Sequence, residues 1–257
     1  MQKVQRILPV PARRVLPFVL IFAALLIGAC GEPGQDEGLS DAEALVARSI
    51  RFHDPAGAWY GRPHRIDLAE RRPDGFVRET SMRLDPLAGS FGMRQNRGED
   101  MVEAYFDAEN CAASVNGVVP DSTQGARYRL ECPDGLAWWR EYYAFMHGLP
   151  MKLVDEGTLV QPAVLDTTFM GKDVQRIKVM YDPAVGSDVW YFYFDADTAR
   201  LVGSRFYHDE AANDGEYIDF QGIVEAEGMN LTQSIHWFTN AEGRYLGSDS
   251  LKSYLAD

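Results

Sequence analysis

Residues 188–195, Asp-Val-Trp-Tyr-Phe-Tyr-Phe-Asp, constrain this chain more than any other stretch. Successive side chains of an extended strand point to opposite faces, so Trp190, Phe192 and Phe194 share one face and Val189, Tyr191 and Tyr193 the other. A strand on a one-sided sheet carries polar residues outward. Here both faces are greasy, and each needs an apolar partner. The segment 134–147 is the expected cover for one face. The first helix or a bound lipid tail is expected to cover the other.

The same period of two recurs along the chain. Around Ile66 and Leu68, and over residues 76–84, 91–97 and 101–107, apolar and polar residues alternate between Gly and Asp turns. Six more strands are predicted over 164–170, 174–181, 189–195, 201–208, 217–224 and 231–238. Turn chemistry separates them: Asp182-Pro183 with Gly186, Asp195 to Thr198, Asn213-Asp214-Gly215 and Glu227-Gly228. Strand plus turn repeats roughly every 12 to 15 residues, which argues for sequential antiparallel neighbours and against βαβ units.

Two helices interrupt the rhythm. Ser40 and Glu43 form a capping-box pattern, after which Ala42, Leu45, Val46, Ser49, Ile50 and His53 fall on one helical face. Asp54-Pro55 with Gly57 ends that helix. Residues 134–147 start at Asp134 and stop before Gly148 and Pro150. Leu136, Trp139, Tyr143 and Met146 fall on one side, with Trp138, Tyr142 and Phe145 making a second apolar edge. A helix apolar around most of its circumference is buried or rests in a concave sheet. Residues 248–256 are expected to form a short terminal helix.

Ahead of the domain, Lys3, Arg6, Arg13 and Arg14 precede an apolar run from Val15 to Ala29, the order of a secretory signal peptide. The run is short of the roughly 20 apolar residues of a membrane span. Its end, Leu26-Ile27-Gly28-Ala29-Cys30, resembles the bacterial lipobox, which implies lipid on the Cys30 thiol and cleavage before it. The competing reading is an ordinary signal peptide cut near Ala29. Residues 1–29 are thus the expected leader, 30–39 a Gly-rich acidic tether, and 40–257 a single domain. Gly31, where an Asp would retain the protein, favours the outer membrane by resemblance to known sorting signals, its periplasmic side more than the cell surface.

The leader carries four basic and no acidic residues, so its removal moves the formal net charge from -13 to -17. Such a chain repels nucleic acid, which is excluded as a partner. Of the three cysteines, Cys111 and Cys132 remain after lipidation, and in an oxidising compartment they read as a disulfide. Two buried free thiols are the alternative. Gly117, Pro120, Gly125 and Pro133 mark the intervening stretch as loop-rich.

The opening ALVARSIRFHDPAGAWYGRPHRIDL resembles the start of LolA/LolB-like periplasmic lipoproteins, through Ala44, Ala47, His53, Gly57 and Trp59. VWYFYFDADTARLVGSRFYHDE and DGEYIDFQGIVEAEGMNL extend the resemblance over about residues 41–240. It implies a mainly β fold, a strongly curved antiparallel half-barrel with helices packed in its concave face. It further implies that the concavity holds a lipid, an acyl chain of a lipoprotein or another hydrophobic ligand. An anchored member fits a receiver or lipid-binding accessory better than a shuttle. The arginine some carriers place in the cavity has no assignable position here.

No nucleophile elbow, zinc-protease helix, phosphate loop or dinucleotide glycine pattern occurs. The five histidines, His53, His64, His147, His208 and His236, show no metal spacing. His208-Asp209-Glu210 with Asp214 and Glu216 reads either as a hard-cation site or as a solvated hairpin turn, the turn preferred for want of regular ligand spacing. Asp195 and Asp197 suit a turn better than paired catalytic acids. His147 either faces the cavity or favours its helix C-terminus as a cation. The expectation is a non-enzymatic protein without cofactor or metal. Its ligand-binding residues are Trp138, Trp139, Tyr142, Tyr143, Met146, Trp190, Phe192 and Phe194, with plain core packing as the rival for these aromatics. A structural or interaction lipoprotein with a filled core is the alternative function.

Overall fold

The computed structural model describes residues 38–256. Cys30, the apolar run before it and most of the tether lie outside the described residues. The chain opens with helix α1 (Asp41–His53), where the Ser40 amide donates to the Glu43 carboxylate at 2.8 Å and the Glu43 amide donates back to Ser40 Oγ at 3.3 Å. That reciprocal pair is the expected capping box. The helix ends at Asp54, whose carboxylate accepts the amides of Ala58 and Trp59 at 2.7 and 2.8 Å. The turn drops Trp59 into the core, 1% exposed.

Five strands follow: β1 (His64–Arg71), β2 (Val77–Asp85), β3 (Ser90–Arg97), β4 (Asp100–Phe106) and β5 (Cys111–Val115). Helices α2 (Ser122–Tyr128) and α3 (Asp134–Gly148) and a 3-10 turn at Met151–Val154 come next. The second run is β6 (Thr158–Val160), β7 (Leu165–Phe169), β8 (Lys172–Tyr181), β9 (Val189–Asp195), β10 (Leu201–Tyr207), β11 (Glu216–Ala226), β12 (Met229–Thr239) and β13 (Tyr245–Ala256). All join one antiparallel sheet of order β5-β4-β3-β2-β1-β13-β12-β11-β10-β9-β8-β6, with β7 also on β8.

Residues 248–256 are therefore strand, not helix. They pair with β1 on one side and β12 on the other, from His64↔Ala256 to Phe238↔Tyr245. Two rows of backbone partners outweigh the weak local preference of a Ser/Leu-rich segment. The 111–132 stretch also holds more structure than expected. It contains β5 and α2 and is closed by the Cys111–Cys132 disulfide.

The sheet is bent around α3. Tyr143 stacks on Phe91 of β3 at 6.3 Å between ring centroids, while Phe145, two residues on, meets Trp190 of β9 at 5.1 Å. In the sheet order β3 and β9 stand seven positions apart, about 34 Å in a flat sheet at roughly 4.8 Å per strand. A helix is only about 10–12 Å across with its side chains. Strong curvature alone brings both strands to it, as the half-barrel expectation requires.

Both helices lie on the concave side. Ala42, Leu45 and Val46 of α1 and Phe145 and Met146 of α3 pack with Trp190, Phe192 and Phe194. His53 ties α1 to the sheet: the Leu201 amide donates to its Nε2 at 3.1 Å, so Nδ1 carries the proton and donates to the Asn230 carbonyl at 2.6 Å. The outer face of β9 is not covered by α1, which packs on the inner one. Phe169, at the end of β7, stacks on Tyr193 at 4.2 Å, and the Arg176 guanidinium lies over Tyr191 at 4.7 Å. The Phe169 ring fits only because residue 203 is glycine, where a Cβ would stand 2.2 Å from that ring. The chain thus supplies its own cover for both aromatic faces.

Candidate functional site

The inward rows of β1, β2 and β3 begin apolar and end polar. In β1 the row, after a buried His64, is Ile66, Leu68, Glu70; in β2 it is Leu84, Met82, Thr80, Arg78; in β3 it is Phe91, Met93, Gln95. Antiparallel register brings the polar ends together, with Glu70 opposite Arg78, Thr80 opposite Gln95, and Asp249 of β13 opposite Glu70 on its other side. Each strand thus contributes a buried polar residue to one end of the concavity.

Glu70, 0% exposed, accepts two N–H groups of Arg78, the Thr80 hydroxyl and, at 3.1 Å, the Tyr143 hydroxyl. Gln95 donates to the Tyr143 oxygen at 2.6 Å, and Arg97 Nε donates to Gln95 Oε1 at 2.9 Å. Trp139 lies within reach of two guanidinium groups, 5.6 Å from Arg78 and 5.3 Å from Arg97. A buried carboxylate persists as an ion only when so many donors hold it. Burial raises the Glu70 pKa, but hydrogen bonds and charge from Arg78, with help from Thr80 and Arg72, prevail and keep it below the usual carboxylate range. Burial, with the like charge of Arg78, lowers Arg97 to about 10. Burial, then the adjacent Glu70, pushes Asp249 up to about 8, and its Oδ1 is buried without a partner. At neutral pH the acid pair Glu70–Asp249 therefore carries one proton.

Beside this network a cavity of about 240 Å³ opens between α3 and the sheet. Trp138, Trp139 and Tyr142 line it from the helix; Trp237 and Leu246 line it from β12 and β13. Arg72, Arg78 and Glu216 supply its charged groups. Its volume sits just under the roughly 300 Å³ at which ligand pockets commonly begin. A neighbouring polar cavity of about 350 Å³ shares Glu216 and runs along the turns at 212–215 and 239–244.

The eight expected ligand residues separate into two groups. Trp138, Trp139 and Tyr142 line the cavity. Tyr143, Phe192 and Phe194 are fully buried in the protein's own core, with Met146 and Trp190 at 7% exposure. Trp190 is occupied by Phe145 and by Phe206, whose ring stacks at 4.8 Å. The sequence reading did not single out Arg72, Glu70, Arg78, Gln95, Arg97, Trp237 or Asp249. Glu70, Arg78 and Gln95 were nevertheless visible as charged or amide residues in phase with an apolar row.

The remaining polar candidates are structural. Asp195 Oδ1 accepts the Thr198 amide at 2.9 Å and hydroxyl at 2.7 Å, closing a turn. Asp214 Oδ1 accepts the amides of His208 and Asp209 at 2.9 and 2.8 Å, the hairpin reading of that cluster. Among the described residues no group of three His, Cys, Asp or Glu is placed to hold a metal. His147 does not serve as a cationic helix cap. Burial lowers it to about 4, its Nε2 is sealed without a partner, and its ring stacks on Tyr143 at 6.1 Å.

Residues 38–251 match the model of a family of unknown function, DUF6503. No curated protein matches the chain. Among solved structures the chain is similar to a LolA superfamily protein from Nitrosomonas europaea, at 9% identity and a TM-score of 0.45, over 84% of this chain and 93% of that one. It is similar to a putative outer membrane lipoprotein-sorting protein domain from Vibrio parahaemolyticus, at 10% identity and a TM-score of 0.46, covering 84% and 90%. A DUF1329 family protein from Desulfovibrio piger is similar at 12% identity and a TM-score of 0.45, covering 85% and 94%.

Proposed function

We propose, for a chain that belongs to DUF6503, a family of unknown function, that the domain is a non-enzymatic binder of a lipid, acyl chain or other hydrophobic ligand. It is displayed from the outer membrane, on the periplasmic side, by lipid on Cys30. The observation that carries this reading is the cavity walled by Trp138, Trp139, Tyr142 and Trp237. Aromatic walls with few polar groups favour an apolar guest, whose burial contributes about 25 cal/mol per Å². Lipid on Cys30 adds stable attachment, since several acyl chains anchor a protein where one holds only marginally.

Saturable binding of a fluorescent fatty acid is the test. Tyr142→Ala and Trp237→Ala should weaken it about tenfold each, because each removes wall area worth more than about 1.4 kcal/mol. No saturable binding, and no lipid in an organic extract of the purified protein, would defeat the reading.

A second reading, an interaction lipoprotein with a filled core, has its own support. Phe192, Phe194 and Tyr143 leave no free inner surface at the bend. It gains if the tryptophan and tyrosine variants change stability but no ligand is found.

A further inference from the structure

The cavity carries charge that its own residues do not match. Arg72 lines it from the end of β1, with its backbone fixed by an amide hydrogen bond to the Phe76 carbonyl at 2.8 Å. Its guanidinium lies over Gly247, where a Cβ would come within 3.3 Å of Nη1. Gly247 also holds φ at 151°, a conformation that side-chain-bearing residues avoid. Among the described residues the acid nearest Arg72 is Glu70, at 4.0 Å. Glu70 is already committed to Arg78, Thr80 and Tyr143. Arg72 is therefore a half-exposed guanidinium at an aromatic cavity, without an ion-pair partner of its own at hydrogen-bond distance. Glu216 is the acid lining the same cavity, and burial raises its carboxyl pKa.

A planar guanidinium matches the oxygens of a carboxylate or phosphate with paired N–H donors. We infer that the cavity is a subsite for a single-chain amphiphile with an anionic head. The carboxylate or phosphate sits on Arg72, and the start of the alkyl chain lies between Tyr142, Trp138 and Trp237. This rests on the hydrophobic-ligand reading above and narrows it to one ligand class. A free fatty acid and a lysophospholipid share this chemistry.

Photoreactive palmitic acid, its methyl ester and a photoreactive palmitoyl lysophosphatidic acid are each titrated against the full-length protein in neutral phosphatidylcholine vesicles. Labelled peptides are then mapped by mass spectrometry. The acid, the lysophosphatidic acid or both should half-saturate labelling of residues around 138–142 at least about tenfold below the ester, as a charge-assisted hydrogen bond implies. Whichever anion binds tighter identifies the head group. Arg72→Gln should erase that preference, bringing both anions to the level of the ester, while its circular dichroism spectrum matches that of the unaltered protein. Equal labelling by acid, lysophosphatidic acid and ester overturns the anionic subsite and leaves the hydrophobic-ligand reading standing. So does a preference that survives Arg72→Gln, or label mapped away from the cavity. Saturable labelling by none of the three overturns both. The comparison of probes on the unaltered protein decides the matter even if Arg72→Gln does not fold.

Discussion

Replacing Asp249 with asparagine tests the buried polar row directly. Burial first, and the Glu70 carboxylate second, hold the Asp249 carboxyl up at about 8, against roughly 3.9 in an unfolded chain. Between those values the folded protein keeps a proton that the unfolded chain has released. Stability from this group is thus fully present below the unfolded value and is lost as pH rises toward 8. His53, His64 and His147 act in the opposite direction. Burial lowers all three, His53 and His147 to about 4, so each removes stability only as pH falls below roughly 6.5. Above that point the histidines no longer oppose it, and Glu216, whose carboxyl burial also raises, adds to the same slope. Linkage then gives a loss of about 1.5 kcal/mol between roughly pH 6.5 and 8. Asparagine has the shape of the protonated acid and no proton to lose. Urea unfolding of the purified protein should show a midpoint that falls across this window in the wild type and falls distinctly less in Asp249→Asn. Equal slopes in the two proteins would refute the argument that Glu70 and Asp249 share one proton.

Two further outcomes follow from packing and connectivity. Reducing the Cys111–Cys132 bridge opens a loop of about 22 residues and should destabilise the fold by about 3 kcal/mol, read as a lower Tm; free thiols at both positions in exported protein would show that the bridge does not form there. Gly203→Ala places a Cβ 2.2 Å from the Phe169 ring and 2.8 Å from the Ile218 carbonyl oxygen, so the urea midpoint should fall by the equivalent of about 1–3 kcal/mol. An unchanged midpoint would mean that Phe169 does not seal the outer face of β9.

Local chemistry in the sequence was enough for the elements that the backbone makes by itself. Ser40 and Glu43 announce the start of α1; α3 spans nearly the expected residues, but Pro133 rather than the expected Asp134 is its N-cap and Gly148 lies within it. The alternation in 188–195 yields β9 with its bounds nearly unchanged. Cys111 and Cys132 were readable as a pair because the lipobox resemblance set Cys30 aside. The site was only half readable. Trp138, Trp139 and Tyr142 were singled out as greasy helix residues and do line the cavity. Trp190, Phe192 and Phe194 looked equally suited, yet Phe145, Phe206 and the α1 side chains occupy their surface.

What the sequence determined alone is most of the strands, though not β5, β6 or β13, with their faces and the two long helices, since period and capping are properties of neighbouring residues. Only the tertiary structure decided that β13 threads between β1 and β12, that α1 and α3 share the concave side, and that Phe169 seals the convex one. It also decided where the charge goes. Glu70 and Arg78 face each other across one hairpin, and register sets Asp249, from the far end of the chain, beside Glu70 on its other side. Periodicity reports which way a side chain points; pairing across the bent sheet determines what it meets.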